Sequence, residues 1–368
     1  MAASTLTEVA RLAGVSPATA SRVLNGSART PGPDIAERVR KAADSLGYIP
    51  NAQAQGLAKS SSGLIGLIVH DIADPYFSAI ARGVQAAAQN QNKMVLLATT
   101  AGSPADERAA VAAFAARRAD SIVIAGSRSA RTADRQGNAE LAAELDRYCR
   151  NGGQVGVVGH AVVGAETDEG YHVVEVPNEE LAAALARELA ASHAGEFVII
   201  AGPEGLLTSD DRVRGFQRGL ADAGRPPADV LHTGFNRSGG YEAGVGLAAR
   251  IGARGEGSEK GRERGETGPE TAGRRRLCIF AVNDVMAIGA TAALRSKGLR
   301  IPRDAAIAGF DDIETLRDFR PALSTVRLPL EEIGRLAVPG AGPGQAAAGT
   351  VGVTGEVTLR RSTEPPGD

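Results

Sequence analysis

The sequence predicts a small all-α head followed by an α/β core of two doubly wound lobes. Three observations carry this. Residues 5 to about 49 place apolar residues at helical spacing behind helix-capping residues. From residue 63 onward, short β-branched apolar runs alternate with alanine-rich stretches, the pattern of buried parallel strands and crossover helices. Seven such runs spread over about 270 residues are too many for one ordinary lobe and suggest two.

In the head, "TLTEVARLAG" offers threonine caps, an inward face of Leu6, Val9, Ala10 and Ala13, and Gly14 as a stop. Ser16 caps the next helix, and Pro17 stands at its first turn, where a missing N–H costs nothing. That helix turns Ala20, Val23 and Leu24 inward and Pro17, Ala18, Ser21 and Arg22 outward. "PDIAERVRKAADSLGY" is a third helix, with Ile35, Val39, Ala42, Ala43 and Leu46 inward. Residues 50 to 62 read as a linker able to form a short helix. The strands of the core are "GLIGLIV", "KMVLLAT", "DSIVIAG", "QVGVVGH", "EFVIIAG", "RLCIFAV" and "DAAIAGF". Residues 252 to 276 carry seven glycines and twelve charges with almost nothing to bury, so they read as a disordered insertion. Residues 338 to 350 are a second flexible stretch.

The net charge of −2 hides an asymmetry. Residues 1 to 62 hold seven Lys/Arg against four Asp/Glu, whereas the remainder holds 34 against 39. A basic head on an acidic body points toward nucleic acid. Two cysteines far apart, Cys149 and Cys278, suit buried thiols in a reducing compartment better than a disulfide framework. The polar N-terminus has no apolar signal-peptide core, and no run approaches the length needed to span a bilayer. The chain is expected in the cytoplasm.

A helix, a glycine turn and a second helix with a small polar outer face form a helix-turn-helix pattern, though an ordinary three-helix bundle would share it. In that motif the second helix enters the DNA major groove. Arg22 is the residue type that grips guanine with two hydrogen bonds. Ser16, Thr19 and Ser21 suit phosphate contacts, with Asn25 at the helix end completing the set.

No catalytic constellation is present in the sequence. It contains no phosphate-loop motif, no nucleophile elbow, and no zinc spacing among its five histidines and two cysteines. No catalytic residue, metal or cofactor is expected.

"LTEVARLAGVSPATASRVLNG" followed by "LGYIPNAQAQGLA" resembles the DNA-binding head and hinge of the LacI/GalR (lactose-repressor-type) family. "GLIGLIVHDIADPYFSAIARGVQAAA", "DDRVRGFQRGLADAG", "FAVNDVMAIGA" and "AIAGFDDIETLRDFRPALSTVRLPLEEIGRLA" resemble its later landmarks in order. The resemblance covers nearly the whole chain except 252 to 276 and 338 to 350.

The resemblance implies a head at 1–49, a hinge helix and linker at 50–62, and a two-lobed, periplasmic-binding-protein-like core at 63–368. Lobe 1 would span about 63–159 with a return near 323–333. Lobe 2 would span about 160–322 with the C-terminal part. It assigns base reading to Pro17, Ala18 and Arg22, of which only Arg22 carries side-chain donors. It makes Leu57 a wedge into the minor groove, with Asn51 and Gln55 beside it on the hinge. Gln55 replaces a common arginine, and Gly56 weakens the hinge helix by about 1 kcal/mol relative to alanine.

Between the lobes it implies a site for a small effector, a carbohydrate by expectation, built from His70, Asp71, Tyr76, Phe77, His160, Arg212, Phe235 and Asp284. Alternatives stand beside several of these. Arg212 and Asp284 would satisfy each other as a pair, and Phe77 and Phe235 would serve as core. "VPN" at 176–178 departs from an acidic residue, so Asn178 is left unassigned. The implied function is a repressor of carbohydrate-uptake or catabolism genes that binds a pseudo-palindromic DNA operator as a homodimer. A sugar-binding transport protein shares the lobes but would lack the head.

Overall fold

The computed structural model describes residues 4–25, 31–49, 61–165, 170–263, 276–341 and 349–365, with backbone only for 253–263. The chain divides into two compact units, Met1–Leu64 with Arg117–Asp120, and Ile65–Ala116 with Ser121–Asp368.

The first unit contains α1 (Leu6–Ala13), α2 (Pro17–Leu24) and α3 (Pro33–Ser45). Thr5 and Glu8 form a reciprocal cap: Thr5 N donates to Glu8 Oε2 at 2.8 Å and Glu8 N to Thr5 Oγ1 at 3.3 Å. Gly14 closes α1 at φ 65°, a left-handed conformation that lets Val15 N reach back to the Ala10 carbonyl. Val9, Ala10, Ala13, Ala20, Val23, Ala36, Val39, Ala42 and Ala43 fill the core of the three helices.

The second unit holds two parallel sheets. The first has the order β11-β5-β4-β3-β1-β2, built from β1 (Leu64–Val69), β2 (Met94–Thr99), β3 (Ser121–Ala125), β4 (Gln154–Val158), β5 (Tyr171–Glu175) and β11 (Gly349–Gly352). Helices α4 (Pro75–Asn90), α5 (Pro104–Ala116) and α6 (Arg135–Arg150) alternate with its strands. The second has the order β7-β6-β8-β9, from β6 (Phe197–Ala201), β7 (Asp229–His232), β8 (Leu277–Ala281) and β9 (Ala305–Ala308). Helices α7 (Asn178–Ser192), α8 (Leu207–Asp222), α9 (Arg237–Glu263) and α10 (Asp284–Ser296) belong with it. An antiparallel pair, β10 (Thr325–Arg327) with β12 (Glu356–Thr358), lies beside them, and α11 (Leu330–Leu336) packs on α4. That packing is close: a Cβ on Gly83 would run into the Glu331 carbonyl, and one on Gly334 into the Ile80 carbonyl.

All seven predicted strands form, and the second unit has the expected doubly wound α/β class. Three boundaries differ from expectation. Tyr171–Glu175, expected in lobe 2, joins the first sheet beside β4, and Gly349–Gly352 joins it beside β5. In β5, His172 and Glu175 interrupt the apolar run by which the other strands were found; His172 is buried with Nε2 3.1 Å from the Leu336 carbonyl. The expected disordered insertion at 252–276 begins as helix, since α9 continues to Glu263. Its Arg, Lys and Glu residues are good helix formers, which offsets the glycines; 264–275 lie outside the described residues. The expected flexible stretch at 338–350 is anchored at both ends, by the fully buried Val338 and by the start of β11.

Candidate functional site

In the first unit, the face offered by α2 follows from its caps and core. Ser16 Oγ accepts from Thr19 N at 3.1 Å and lies 2.9 Å from Thr19 Oγ1, which fixes the first turn. Ala20 and Val23 are buried, leaving Pro17, Ala18 and Arg22 exposed on the opposite side. Ser21 is half-buried and accepts from Asn25 Nδ2 at 2.8 Å. Ser16 and Thr19 are thus occupied with each other and with the cap, while the exposed Arg22 has no side-chain partner among the described residues. Asn51, Gln55 and Leu57 lie outside the described residues.

In the second unit, the predicted effector residues fall into two groups. The first clusters at the N-terminus of α4. Asp74 caps that helix, its Oδ1 accepting from Tyr76 N at 2.9 Å, and burial raises its carboxyl above the ordinary range. Tyr76 meets Phe77 edge-on at 5.1 Å between ring centroids, and Phe77 lies 5.6 Å from the His70 ring. Asp71 is exposed, accepting from Ala73 N at 2.9 Å.

His70 belongs to a buried ionic cluster that sequence reading missed. Glu107 and Arg128, 2% and 5% exposed, join through two hydrogen bonds of 2.7 and 2.9 Å. His70 Nε2 lies 3.3 Å from Arg128 Nη2 and 3.4 Å from Glu107 Oε1. Burial alone would raise the Glu107 carboxyl, but the Arg128 charge and the hydrogen bonds from His70 and Arg128 outweigh it and hold the pKa at about 2.

The second group surrounds Arg212, which is 2% exposed. Its guanidinium donates to Asn178 Oδ1 at 2.9 Å, the Val282 carbonyl at 2.7 Å and Asp311 Oδ1 at 2.8 Å. The Phe310 ring lies beneath it, 3.8 Å from Cζ to the centroid. Burial pushes the Asp311 carboxyl up to about 6 while Arg212 pulls it down. Tyr76 joins the two groups: burial first, then the Asp311 charge, drive its phenol above its ordinary value, with Arg212 opposing.

Asp284 does not pair with Arg212. It is fully enclosed, Oδ2 accepting from Ile313 N at 3.0 Å and Oδ1 from Thr325 Oγ1 at 2.7 Å. Burial, then Asp311, push its carboxyl well above the usual range. In this structure it ties the 310–313 segment to β10, and Asp311, not Asp284, is the acid against Arg212. Phe235 packs over Gly202. Asp311 and Asn178 were missed as site residues. "FDD" at 310–312, two acids directly after a buried strand, is the signal that marked the first.

Among the described residues, one seam between the lobes is made by backbone and side-chain hydrogen bonds. Leu207 N donates to the Arg128 carbonyl at 2.9 Å, Ala130 N to the Gly205 carbonyl at 2.8 Å, and Thr208 N to Ser127 Oγ at 3.2 Å. His160 Nε2 lies 2.7 Å from Asp211 Oδ2 across the same seam. Its Nδ1 is buried without a hydrogen-bond partner among the described residues.

Comparison with known proteins follows this division. Residues 5–51 match bacterial regulatory proteins of the lacI family. Residues 62–238 match the periplasmic binding proteins and sugar binding domain of that family, and 186–363 a periplasmic binding protein-like domain. The HTH-type transcriptional regulator GalS of Salmonella typhimurium is 31% identical over 359 residues, 95% of this chain and 92% of that one. The HTH-type transcriptional repressor PurR of Vibrio parahaemolyticus is 28% identical, over 90% and 89%. The fold superimposes on the lac repressor dimer bound to operator and the anti-inducer ONPF, with TM-score 0.74, 22% identity and 99% and 100% coverage. It also superimposes on a CelR–cellobiose complex, with TM-score 0.62, 24% identity and 98% and 99% coverage.

Proposed function

This chain belongs to the lacI family of bacterial regulatory proteins and is a helix-turn-helix transcriptional regulator with a ligand-binding core, and we propose that it represses carbohydrate genes from a two-fold operator. The observation that carries the DNA-reading half is the exposed face of α2. Arg22 stands free beside Pro17 and Ala18 on a helix whose N-terminus is locked by Ser16. Arg22 reads a guanine edge, Pro17 and Ala18 shape the fit against thymine methyl groups, and phosphate contacts set the register. Leu57 acts as the minor-groove wedge of the hinge, flanked by Asn51 and Gln55.

The effector binds between the lobes, against Tyr76, Phe77, Arg212 and Asp311. The unpartnered Nδ1 of His160 supports a ligand hydroxyl at the seam, because a buried ring nitrogen without a partner is costly. Aromatic faces beside a cation and a carboxylate suit the C–H surfaces and paired hydroxyls of a carbohydrate. The protein acts as a homodimer, which matches two half-sites. Edge strand β2 supports this, since it exposes Met94 and Leu97 at 69% and 46%. Repression takes place in the cytoplasm, where the operator is. None of the described helices is long and apolar enough to cross a membrane. The effector switches DNA affinity only by preferring one lobe arrangement over the other.

The test is selection of genomic DNA fragments by the purified protein at physiological salt, with Arg22→Ala in parallel. A two-fold-symmetric motif beside carbohydrate genes, lost in the variant, is the expected result. Retention without a motif, falling steeply with salt, refutes sequence-specific reading.

A further inference from the structure

We infer that Asp311 is a charge filter: by occupying Arg212 it makes the cleft select uncharged polyhydroxy ligands and reject their anionic counterparts. The inference rests on the reading that the cleft takes a carbohydrate effector. A buried guanidinium in a sugar cleft would, left alone, favour carboxylates and phosphates, because its fork matches their oxygens. Here that attraction is already neutralised. Asp311 Oδ1 sits 2.8 Å from Arg212 Nη2, and both side chains are almost completely buried.

The backbone sets where the carboxylate starts. Asp311 has φ 115°, rare for a residue with a side chain, and its N–H donates to the Val326 carbonyl at 2.9 Å. The backbone thus fixes where the Asp311 side chain starts, and the hydrogen bond from Arg212 holds its carboxylate. Asp74 adds a second acid whose charge acts on Asp311.

An entering polyol fits this pair. Three of the five guanidinium N–H groups are taken, by Asn178, Val282 and Asp311, so two remain for a hydroxyl oxygen. The same ligand's O–H groups can donate to Asp311 Oδ2. A carboxylate or phosphate can only accept. It can accept from the two remaining N–H groups, but it then sets a second negative charge beside Asp311 Oδ2 with no proton to share between them, which costs about a hundredfold in affinity.

The experiment uses the full-length protein and matched probes: neutral hexoses, their hexuronates and their 6-phosphates, measured by calorimetry and thermal shift. The wild-type protein binds at least one neutral hexose, and its acidic counterparts about a hundredfold more weakly. Asp311→Asn cuts that preference at least tenfold. Asp312→Asn, whose carboxylate is instead held by Arg327 and Arg360, leaves it unchanged. If the lone charge left by Asp311→Asn unfolds the core, the Arg212→Gln/Asp311→Asn pair removes both charges and is expected to bind the neutral hexose more weakly with the preference abolished. A wild type that binds the acid as tightly as its neutral counterpart overturns the filter. So does a variant pair that keeps the full preference. A wild type that binds its operator but no probe at all overturns the carbohydrate reading, and the filter with it.

Discussion

Replacing Glu107 by alanine leaves Arg128 charged, enclosed and unpaired beneath the seam between the lobes. Both side chains are almost inaccessible and joined by two short hydrogen bonds. Breaking a buried pair from one side costs about 3–5 kcal/mol. The titration of the same group gives a second route to the magnitude. A carboxyl held from an ordinary 4.5 down to about 2 corresponds to about 3 kcal/mol at about 1.4 kcal/mol per pH unit. The two figures agree.

Because folding holds Glu107 below its unfolded value, this contribution is complete above pH 4.5 and fades as pH falls toward 2. Urea unfolding of wild type and Glu107→Ala at pH 7 is expected to differ by about 3–5 kcal/mol, with thermal unfolding shifted by roughly 10 °C. The gap between wild type and Glu107→Gln should close as the buffer is taken from pH 5 to pH 3. Glu107→Ala/Arg128→Met, which removes both charges, should recover most of the loss. A double variant as unstable as the single one, or a single variant within 1 kcal/mol of wild type, would refute the claim that an uncompensated buried charge is what matters.

Arg22→Ala is expected to weaken operator binding by about 1–3 kcal/mol while non-specific binding persists, seen by titrating operator and scrambled duplexes at fixed salt. Ser16→Ala removes the cap of α2 and should cost the head about 1 kcal/mol, read as faster amide exchange confined to residues 17–24 with the core unchanged. Met94→Glu with Leu97→Glu places charge on the exposed edge strand; sedimentation should show monomers and operator binding should fall steeply, whereas an intact dimer would move the interface elsewhere.

Local sequence determined what local physics controls. Helical spacing of Val9, Ala10, Ala20 and Val23, with caps at Thr5 and Ser16, already specified three helices and which face of the second stays exposed. Continuous apolar runs specified the strands, because a strand buried on both faces has no polar alternation to hide it. Tertiary structure alone decided partners. A periodicity says which way a side chain points, not what it meets. So the sequence placed Arg212 and Asp284 near one another, but only the fold gave Arg212 to Asp311 and turned Asp284 toward Ile313 and Thr325. In the same way, "YHVVE", whose His172 and Glu175 break the apolar run, became a strand where β4 left an open edge. Nothing in the sequence around Glu107 and Arg128 marks them as a pair. Burying them together was a decision of the packed core, because there each charge needs an opposite charge in place of water.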